Sequence, residues 1–475
     1  MALTLVIGAT LASTLGPTAS AVVSRTPGAA TTPIQHVIFV MKENRSFDEY
    51  FGRFPGVNGS TQATCWKSTG PPQVIDPMPR TPDPMSQDIS HSPSSFKADY
   101  HNGTNDGWCH EYHAIDSTGF NLAESQMYQD QIPNYWSYAA HYGIGDNMFA
   151  SWRGASYGNN VFQIAAQAGR YAASTDHKTI YGLPKLAPGT SLGRGWGCGN
   201  SIDTRVDMMA IDGTLSKTYP CFDYPTLPQT LDANGVSWKF YANQGKPEYI
   251  HASVNSFNYL RCAPGVTTYP CAESAYYQAH VPATNSFFTD AAAGTLPAVS
   301  WYLPTETEHP PKTACKGENN TVKLMNAVQS GPDWNSTAVV VVWDEWGGFF
   351  DHVVPPTASG SDANVSYGYR VPLLVMSPWV KNGTLSDGGT VDSTFYSHAS
   401  LLRFVESNWN LPSLGAMDDP ANYAVGDPVP GDLMNFFDFS DPSNPPKPGL
   451  FTLAQRTCPA LTAAQRKTIA GMNPD

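Results

Sequence analysis

Charged side chains are scarce in this chain. Asp, Glu, Lys and Arg make up 14% of its 475 residues, against about 25% in an average soluble protein. The few there are lean one way, with 27 Lys+Arg against 40 Asp+Glu and a formal charge of −13. A basic footprint of the kind nucleic acids require is therefore missing, and tight adsorption to anionic membranes is disfavoured. No C-x-x-C pair occurs among the eight cysteines, which removes zinc-ribbon spacing. No repeat at solenoid or propeller spacing is found. Uninterrupted apolar runs fall short of the roughly 20 residues of a membrane span. What is present in quantity is glycine and proline, 40 of each, with 12 Trp, 23 Tyr and 21 Phe. So many aromatics exclude a disordered acidic chain. With 41% apolar residues, the composition describes a loop-rich, globular protein of enzyme size.

Residues 1–21 contain no charged side chain and end in Ala19-Ser20-Ala21, a small-x-small cleavage signature. They read as a secretory signal peptide, although its usual basic start is absent. Residues 22–33 read as a linker. An even number of cysteines behind such a segment favours disulfides, and hence a secreted, periplasmic or extracellular protein. Cys198/Cys221 and Cys262/Cys271 are neighbours that can pair, among about a hundred possible connectivities.

Strand-like and helix-like patterns alternate along the rest of the chain. Apolar runs at 35–42, 236–242, 298–303, 338–343 and 371–376 predict strands, and A-V-V-V-V-W at 338–343 suits a sheet buried on both faces. Periodic segments at 132–142, 159–169, 321–329 and 397–409 predict helices. Residues 66–90 are proline-rich and read as loop. The alternation predicts an α/β fold with a mixed, mostly parallel central sheet flanked by helices. One catalytic domain over 34–440 is expected, with loop-rich insertions around 176–225 and 244–296 and a tail, 441–475, packed on the same domain.

In open α/β folds, ligands bind beyond the carboxyl ends of the strands. Two predicted strands end in Glu43-Asn44 and Asp344-Glu345, and a third is followed by Glu308-His309. Two sets of hard oxygen ligands at one rim suit a divalent cation such as Mg²⁺, Ca²⁺ or Mn²⁺. Ser156 directly precedes a predicted helix, where an anion is stabilised by unpaired N–H groups; the alternative is a helix N-cap. His91 lies in a polar loop, His309 past a strand, and His352 beside Asp351, which could fix its tautomer. Gly154-Ala155-Ser156-Tyr157-Gly158 also fits G-x-S-x-G, the elbow of a serine carboxylesterase, with Asp392 and His398 in the right order. Against that, 146–153 is a poor strand and no H-G-G-G loop occurs.

The longer motifs decide between these. H-V-I-F-V-M-K-E-N-R-S-F-D-E-Y-F-G (36–52) strongly resembles the opening of the bacterial phosphoesterase family, which includes phospholipases C and acid phosphatases. V-V-W-D-E-W-G-G-F-F-D-H-V-V-P-P (341–356), E-H-P-P (308–311) and S-H-A-S-L-L-R-F-V-E (397–406) resemble its further signatures. The resemblance implies an alkaline-phosphatase-like sandwich. It also implies one divalent metal ion held by Glu43, Asn44, Ser156, Asp344 and Glu345. Ser156 would be the nucleophile, and His309 or His91 the proton donor to the leaving group. Asn44, Asn159 and His352 would contact the phosphate. G-A-S-Y-G-N (154–159) stands where the family commonly has G-P-[S/T]-x-P-N, so both prolines are replaced while Ser156 and Asn159 remain. The expected activity is hydrolysis of a phospholipid head-group diester or of a phosphomonoester, through a phosphoserine. Partners would be the substrate and at most a transient membrane-surface contact. A binding protein on an inactive scaffold is the non-enzymatic rival.

Overall fold

The computed structural model describes residues 28–169, 178–182, 197–210, 212–243, 251–357, 367–463 and 465–467. The expected signal peptide and residues 22–27 of the expected linker lie outside the described residues.

Seven strands form the central sheet: β1 (His36–Lys42), β2 (Gly143–Gly145), β3 (Trp238–Tyr241), β4 (Val299–Tyr302), β5 (Thr337–Trp343), β6 (Leu373–Met376) and β7 (Thr390–Asp392). Their order across the sheet is β7-β2-β6-β5-β1-β4-β3. Only β6 runs against the others, which gives the mixed, mostly parallel sheet that the alternating pattern predicts. Its centre is the β1–β5 pair, in parallel register from His36 opposite Thr337 to Lys42 opposite Trp343. Every residue of β5 is buried. A valine-rich run with no polar face can only lie inside a sheet covered on both sides.

The main helices are α1 (Phe47–Phe51), α2 (Pro93–Tyr100), α3 (Pro133–His141), α4 (Ser156–Ala165), α5 (Ala314–Ser330) and α6 (Ala399–Trp409). α3 packs against β2 and β6, and α4 against α6. Two of these differ from the periodic reading. α4 starts three residues earlier and stops at Ala166, which takes the left-handed conformation (φ 51°), instead of running to Gly169. α5 reaches back to Ala314, where the Thr313 hydroxyl caps it by accepting from the Cys315 N–H. The proline-rich stretch is mostly loop, but Gln73–Ile75 pairs with Ala63–Cys65 as a small ribbon.

Described parts of the two insertions add a three-stranded sheet of Lys178–Ile180, Val206–Ala210 and Leu215–Thr218. Ile180, Val206, Met208, Tyr224, Val254 and Phe257 from these segments join the same hydrophobic core as the central sheet. Disulfides link Cys198–Cys221 and Cys262–Cys271, the two neighbour pairs, and also Cys65–Cys109 and Cys315–Cys458. The last ties the tail to α5. Residues 451–456 run along that helix in the opposite direction, through Gln329 Nε2 to Phe451 O (3.0 Å), Asn326 Nδ2 to Leu453 O (2.8 Å) and Arg456 Nη1 to Glu318 (2.7 Å). Breaking this long covalent loop with Cys315→Ser and Cys458→Ser is expected to cost about 2–5 kcal/mol, read as a lowered urea midpoint. An unchanged midpoint would mean that the tail contributes nothing to the domain.

Candidate active site

The β1–β5 ladder does not stop where the strands end. Asp344 N–H donates to Lys42 O (3.1 Å), and Arg45 N–H donates to Glu345 O (3.1 Å). Between them the Asn44 N–H donates to Asp344 Oδ1 (3.2 Å), which also accepts from the Glu345 N–H (2.9 Å). Glu43, Asn44 and Asp344 are thus held together past the carboxyl end of the sheet, all buried. Asn44 itself has φ 53°, a left-handed conformation that asparagine tolerates better than most residues. Gly347 presses on it from the other side: a Cβ there would lie 2.6 Å from the Asn44 carbonyl oxygen.

The Asn44 side chain links the expected nucleophile to an expected acid. Ser156 Oγ donates to Asn44 Oδ1 at 3.3 Å, and Asn44 Nδ2 lies 3.2 Å from His91 Nε2. His91 Nδ1 is 2.7 Å from the carbonyl oxygen of Ile89. A carbonyl can only accept, so Nδ1 carries the proton and Nε2 accepts from the amide. His309 has the same tautomer, with Nδ1–H donating to Pro310 O at 2.6 Å. Its ring meets that of His91 edge-on, with centroids 5.8 Å apart. Ser156 is not the N-cap. Ala155 holds that position with no side-chain cap bond, so the serine stands on the first turn of α4, where backbone N–H groups favour an anion.

The carboxylate side of the site gains a member that the sequence did not reveal. Glu43, Asp344 and His251 offer ligand atoms that all lie within 4.8 Å of one another, and all three are buried. His251 Nδ1 is 3.2 Å from Glu43 Oε1 and 3.3 Å from Asn160 Nδ2. Two carboxylates and an imidazole are a donor set that suits a divalent cation, so the residues fit the ion that the resemblance implies. Glu345 stands outside this group, with Oε2 accepting from the Gly347 N–H (2.8 Å). A further group of Asp88, His91 and His309 meets on the other side of Asn44. No strand pattern, periodicity or motif in the sequence marked His251.

Two expected phosphate contacts are employed elsewhere. Asn159 Oδ1 accepts from the Trp152 N–H (2.9 Å), while Nδ2 donates to Trp152 O and Gly154 O (both 3.1 Å). All three bonds go to the loop before Ser156, so Asn159 shapes that loop. His352 Nδ1 lies 2.6 Å from Asp48 Oδ2. Asp48, not the neighbouring Asp351, orients the ring. Asp351 instead takes two bonds from the buried Arg370 (2.9 and 3.1 Å). Burial pushes the Asp351 carboxyl up to about 6 despite Arg370. The guanidinium occupies the place between these carboxylates that a cation would take.

The esterase triad is absent. His398 Nδ1 accepts from the Ser151 N–H (3.2 Å) and Nε2–H donates to Trp343 O (2.9 Å). Asp392 Oδ1 accepts from Thr394 N–H and Tyr396 OH. Neither is joined to Ser156, and both His398 nitrogens are taken by backbone.

Beneath the site lies a layer of buried charge. Arg45, fully buried, donates through Nη1 to Asn44 O and through Nη2 to Glu308 O, both at 2.8 Å. One planar fork thereby fixes the backbone at Asn44 and at the residue before His309. Lys42 Nζ donates to Gly317 O (2.9 Å) and stands 3.8 Å from Glu308 Oε2. Burial lowers the Lys42 pKa and raises that of Glu308, each opposed by the other's charge.

A serine hydroxyl held by an amide, with His398 and Asp392 bonded elsewhere, suits hydrolysis at phosphorus. The comparisons agree. Residues 34–412 match the Phosphoesterase family, so the chain belongs to that family and is a phosphoric-ester hydrolase. It is 28% identical to phospholipase C A of Mycobacterium tuberculosis, over 94% of this chain and 86% of that protein. It is 28% identical to a non-hemolytic phospholipase C of Burkholderia pseudomallei and 26% identical to the hemolytic phospholipase C of Pseudomonas aeruginosa. Those two alignments cover 86% of this chain but only 59% and 56% of the relatives. Among solved structures, an alkaline phosphatase superfamily protein from Vibrio parahaemolyticus aligns over 86% of this chain and 72% of that one. Its identity is 9% and its TM-score 0.33, too loose a superposition to carry an argument.

The His398 ring yields a pH prediction. Burial lowers its pKa from an ordinary 6.5 to about 4, opposed by the bond to Trp343 O. The unfolded chain then binds a proton that the folded protein refuses. Stability falls as pH drops from 6.5 towards 4, by up to about 3 kcal/mol from this group alone. Urea midpoints across that range are expected to flatten in His398→Asn relative to the unaltered chain. An equally steep acid loss in the variant would exclude His398 as its source.

Proposed function

We propose that the chain is a metal-dependent phospholipase of the C type, cutting the glycerol side of a phospholipid phosphodiester with Ser156 as nucleophile. The observation that carries this is the bond from Ser156 Oγ to Asn44 Oδ1, made beside the Glu43, Asp344 and His251 group. When bound there, a divalent ion supplies Lewis acidity, lowering the serine pKa and drawing charge off the phosphoryl oxygens. Asn44 Oδ1 aims the serine oxygen at phosphorus. The uncapped first turn of α4 faces the phosphoryl charge. The leaving diacylglycerol oxygen takes a proton from the Nε2–H of His309 in its imidazolium form, which reverts to the neutral ring with Nδ1–H still on Pro310 O. Water then hydrolyses the phosphoserine and releases the phosphorylated head group. Relatives named phospholipase C that align with 80–97% of this chain favour the diester over a phosphomonoester.

Pairing of all eight cysteines supports an oxidising compartment and hence secretion. No helix among the described residues is long and apolar enough to cross a membrane. The net charge of −13 supports a substrate other than nucleic acid.

Assays of a short-chain phospholipid and p-nitrophenyl phosphate test the reading together. Ser156→Ala is expected to lose about 10³-fold or more in kcat on the phospholipid. EDTA is expected to abolish turnover, and added divalent ion to restore it, with His251→Ala needing more ion for half-maximal recovery. Undiminished turnover by Ser156→Ala, or insensitivity to EDTA, would overturn the mechanism. Exclusive hydrolysis of p-nitrophenyl phosphate would make the protein a phosphomonoesterase.

A further inference from the structure

A short loop, residues 111–116, presents two apolar side chains to solvent. Tyr112 is 69% exposed and Ile115 43%. Single apolar side chains on a surface need no explanation, but this loop is braced so as to present its pair. Ala114, between them, is buried in the small core that also holds Ile89, Trp346 and Phe349. From below, Gln87 Nε2 donates to His113 O (2.7 Å) and Ile115 O (3.2 Å). The Tyr112 N–H donates to Glu111 Oε1 (2.6 Å), and the Leu122 N–H to Ala114 O (2.7 Å). His113 takes φ 68°, a conformation unfavourable for a residue with a Cβ, and its ring stacks on that of Tyr112 with centroids 3.8 Å apart. An exposed aromatic is thus held rigidly outward.

The loop is joined to the catalytic residues. The Ser90 N–H donates to Tyr112 O (3.0 Å), and the next residue is His91, whose Nε2 lies 3.2 Å from Asn44 Nδ2. Trp346, which shares the small core with Ala114, is two residues past Asp344. The charge around the loop has one sign. No lysine or arginine occurs between Lys97 and Arg153, whereas Asp106, Glu111 and Asp116 flank or belong to the loop. Asp116 stays ionised, its carboxyl held below the usual range by the Thr118 hydroxyl. An anionic lipid surface is repelled by such a segment. A surface of choline or ethanolamine phospholipids has no net charge and turns its ammonium groups outward, towards these carboxylates. Tyrosine suits that boundary, with an apolar ring and a polar tip.

Resting on the reading of the chain as a phospholipase, we infer that residues 111–116 dock the protein on a surface of zwitterionic phospholipid. Tyr112 and Ile115 enter the head-group boundary, and the apolar area they bury there supplies the attraction. The backbone bond from Ser90 brings the His91 loop to the same surface, from which the substrate is drawn. Docking concentrates substrate at the site and leaves the chemistry at Ser156 as it is. The loop therefore counts on packed lipid and is idle on lipid free in solution.

The test measures vesicle binding and turnover with the full chain. In a Ser156→Ala background, which leaves the lipid uncut, phosphatidylcholine vesicles are expected to carry the protein down on sedimentation. Adding Tyr112→Ser and Ile115→Ser is expected to weaken that binding about ten-fold or more, and mixing phosphatidylglycerol into the vesicles to weaken it as well. With Ser156 intact, the double variant is expected to lose about ten-fold or more in kcat/KM on phosphatidylcholine vesicles. On dihexanoyl phosphatidylcholine kept monomeric, its kcat/KM is expected to be unchanged, which also shows that the variant is folded. Tyr112→Ser alone, at an exposed position, should show part of the vesicle loss. Vesicle binding that the variants leave intact, binding that rises with anionic lipid, or an equal loss on monomers and vesicles would overturn the inference while leaving the Ser156 phospholipase standing. If neither form of lipid were cut but p-nitrophenyl phosphate were cut in a Ser156-dependent way, the phospholipase reading would fall, and the inference with it.

Discussion

The hydrogen bond from the Asn44 N–H to the Asp344 carboxylate joins the ends of the two central strands and sets everything around it. Parallel pairing delivers β1 and β5 to the same rim in register. This bond and its neighbours carry that register two residues beyond the regular ladder. Asp344 Oδ1 accepts two backbone N–H groups, so the carboxylate is oriented before any ligand arrives. In a water-poor site such preorganisation is worth more than the same dipoles in solution. From Asn44 the side-chain amide then runs outward to Ser156 on one hand and His91 on the other.

Holding Asn44 in a left-handed conformation costs about 1–3 kcal/mol for such a residue, and the surroundings over-determine it. Arg45 Nη1 grips its carbonyl from below, and Gly347 closes over that carbonyl. The second arm of Arg45 reaches Glu308 O, next to His309. A single buried guanidinium thus couples the loop that orients the serine to the loop that carries the proposed acid. The geometry needs an arginine: lysine has no planar fork to satisfy two carbonyls at once. Glu49 lies 3.5 Å from Arg45 and Glu308 3.8 Å from Lys42, burial raising the pKa of both carboxyls, and the phenol of Tyr135 donates to Glu308 (2.9 Å).

Those parts of this arrangement that follow directly from strand ends were legible in the sequence. Long apolar runs fixed β1 and β5, and the polar residues immediately after them, Glu43, Asn44 and Asp344, had nowhere to go but the rim. His251 was hidden because it reaches Glu43 from an insertion whose sequence carries no strand pattern, periodicity or motif around it. Asn159 and His352 mark a different limit. Residue type shows that an amide or imidazole can touch phosphate, but direction decides whether it does. Asn159 is in the first turn of α4, where its side chain points back to the preceding loop, and His352 turns to Asp48, far away in sequence, instead of to its neighbour Asp351. The start of α4 at Ser156 was equally invisible, since a capping side chain is the usual signal and Ala155 provides none.

The central claim is that Ser156 attacks phosphorus, and it is tested most directly by trapping the intermediate. Mixing the metal-loaded protein with a phosphodiester substrate, quenching in acid within the first turnover and mapping peptides by mass is expected to place one phosphoryl-containing adduct on Ser156. The adduct should be absent from Ser156→Ala. An adduct on His91 or His309, or full single-turnover product with no adduct anywhere, would contradict the account.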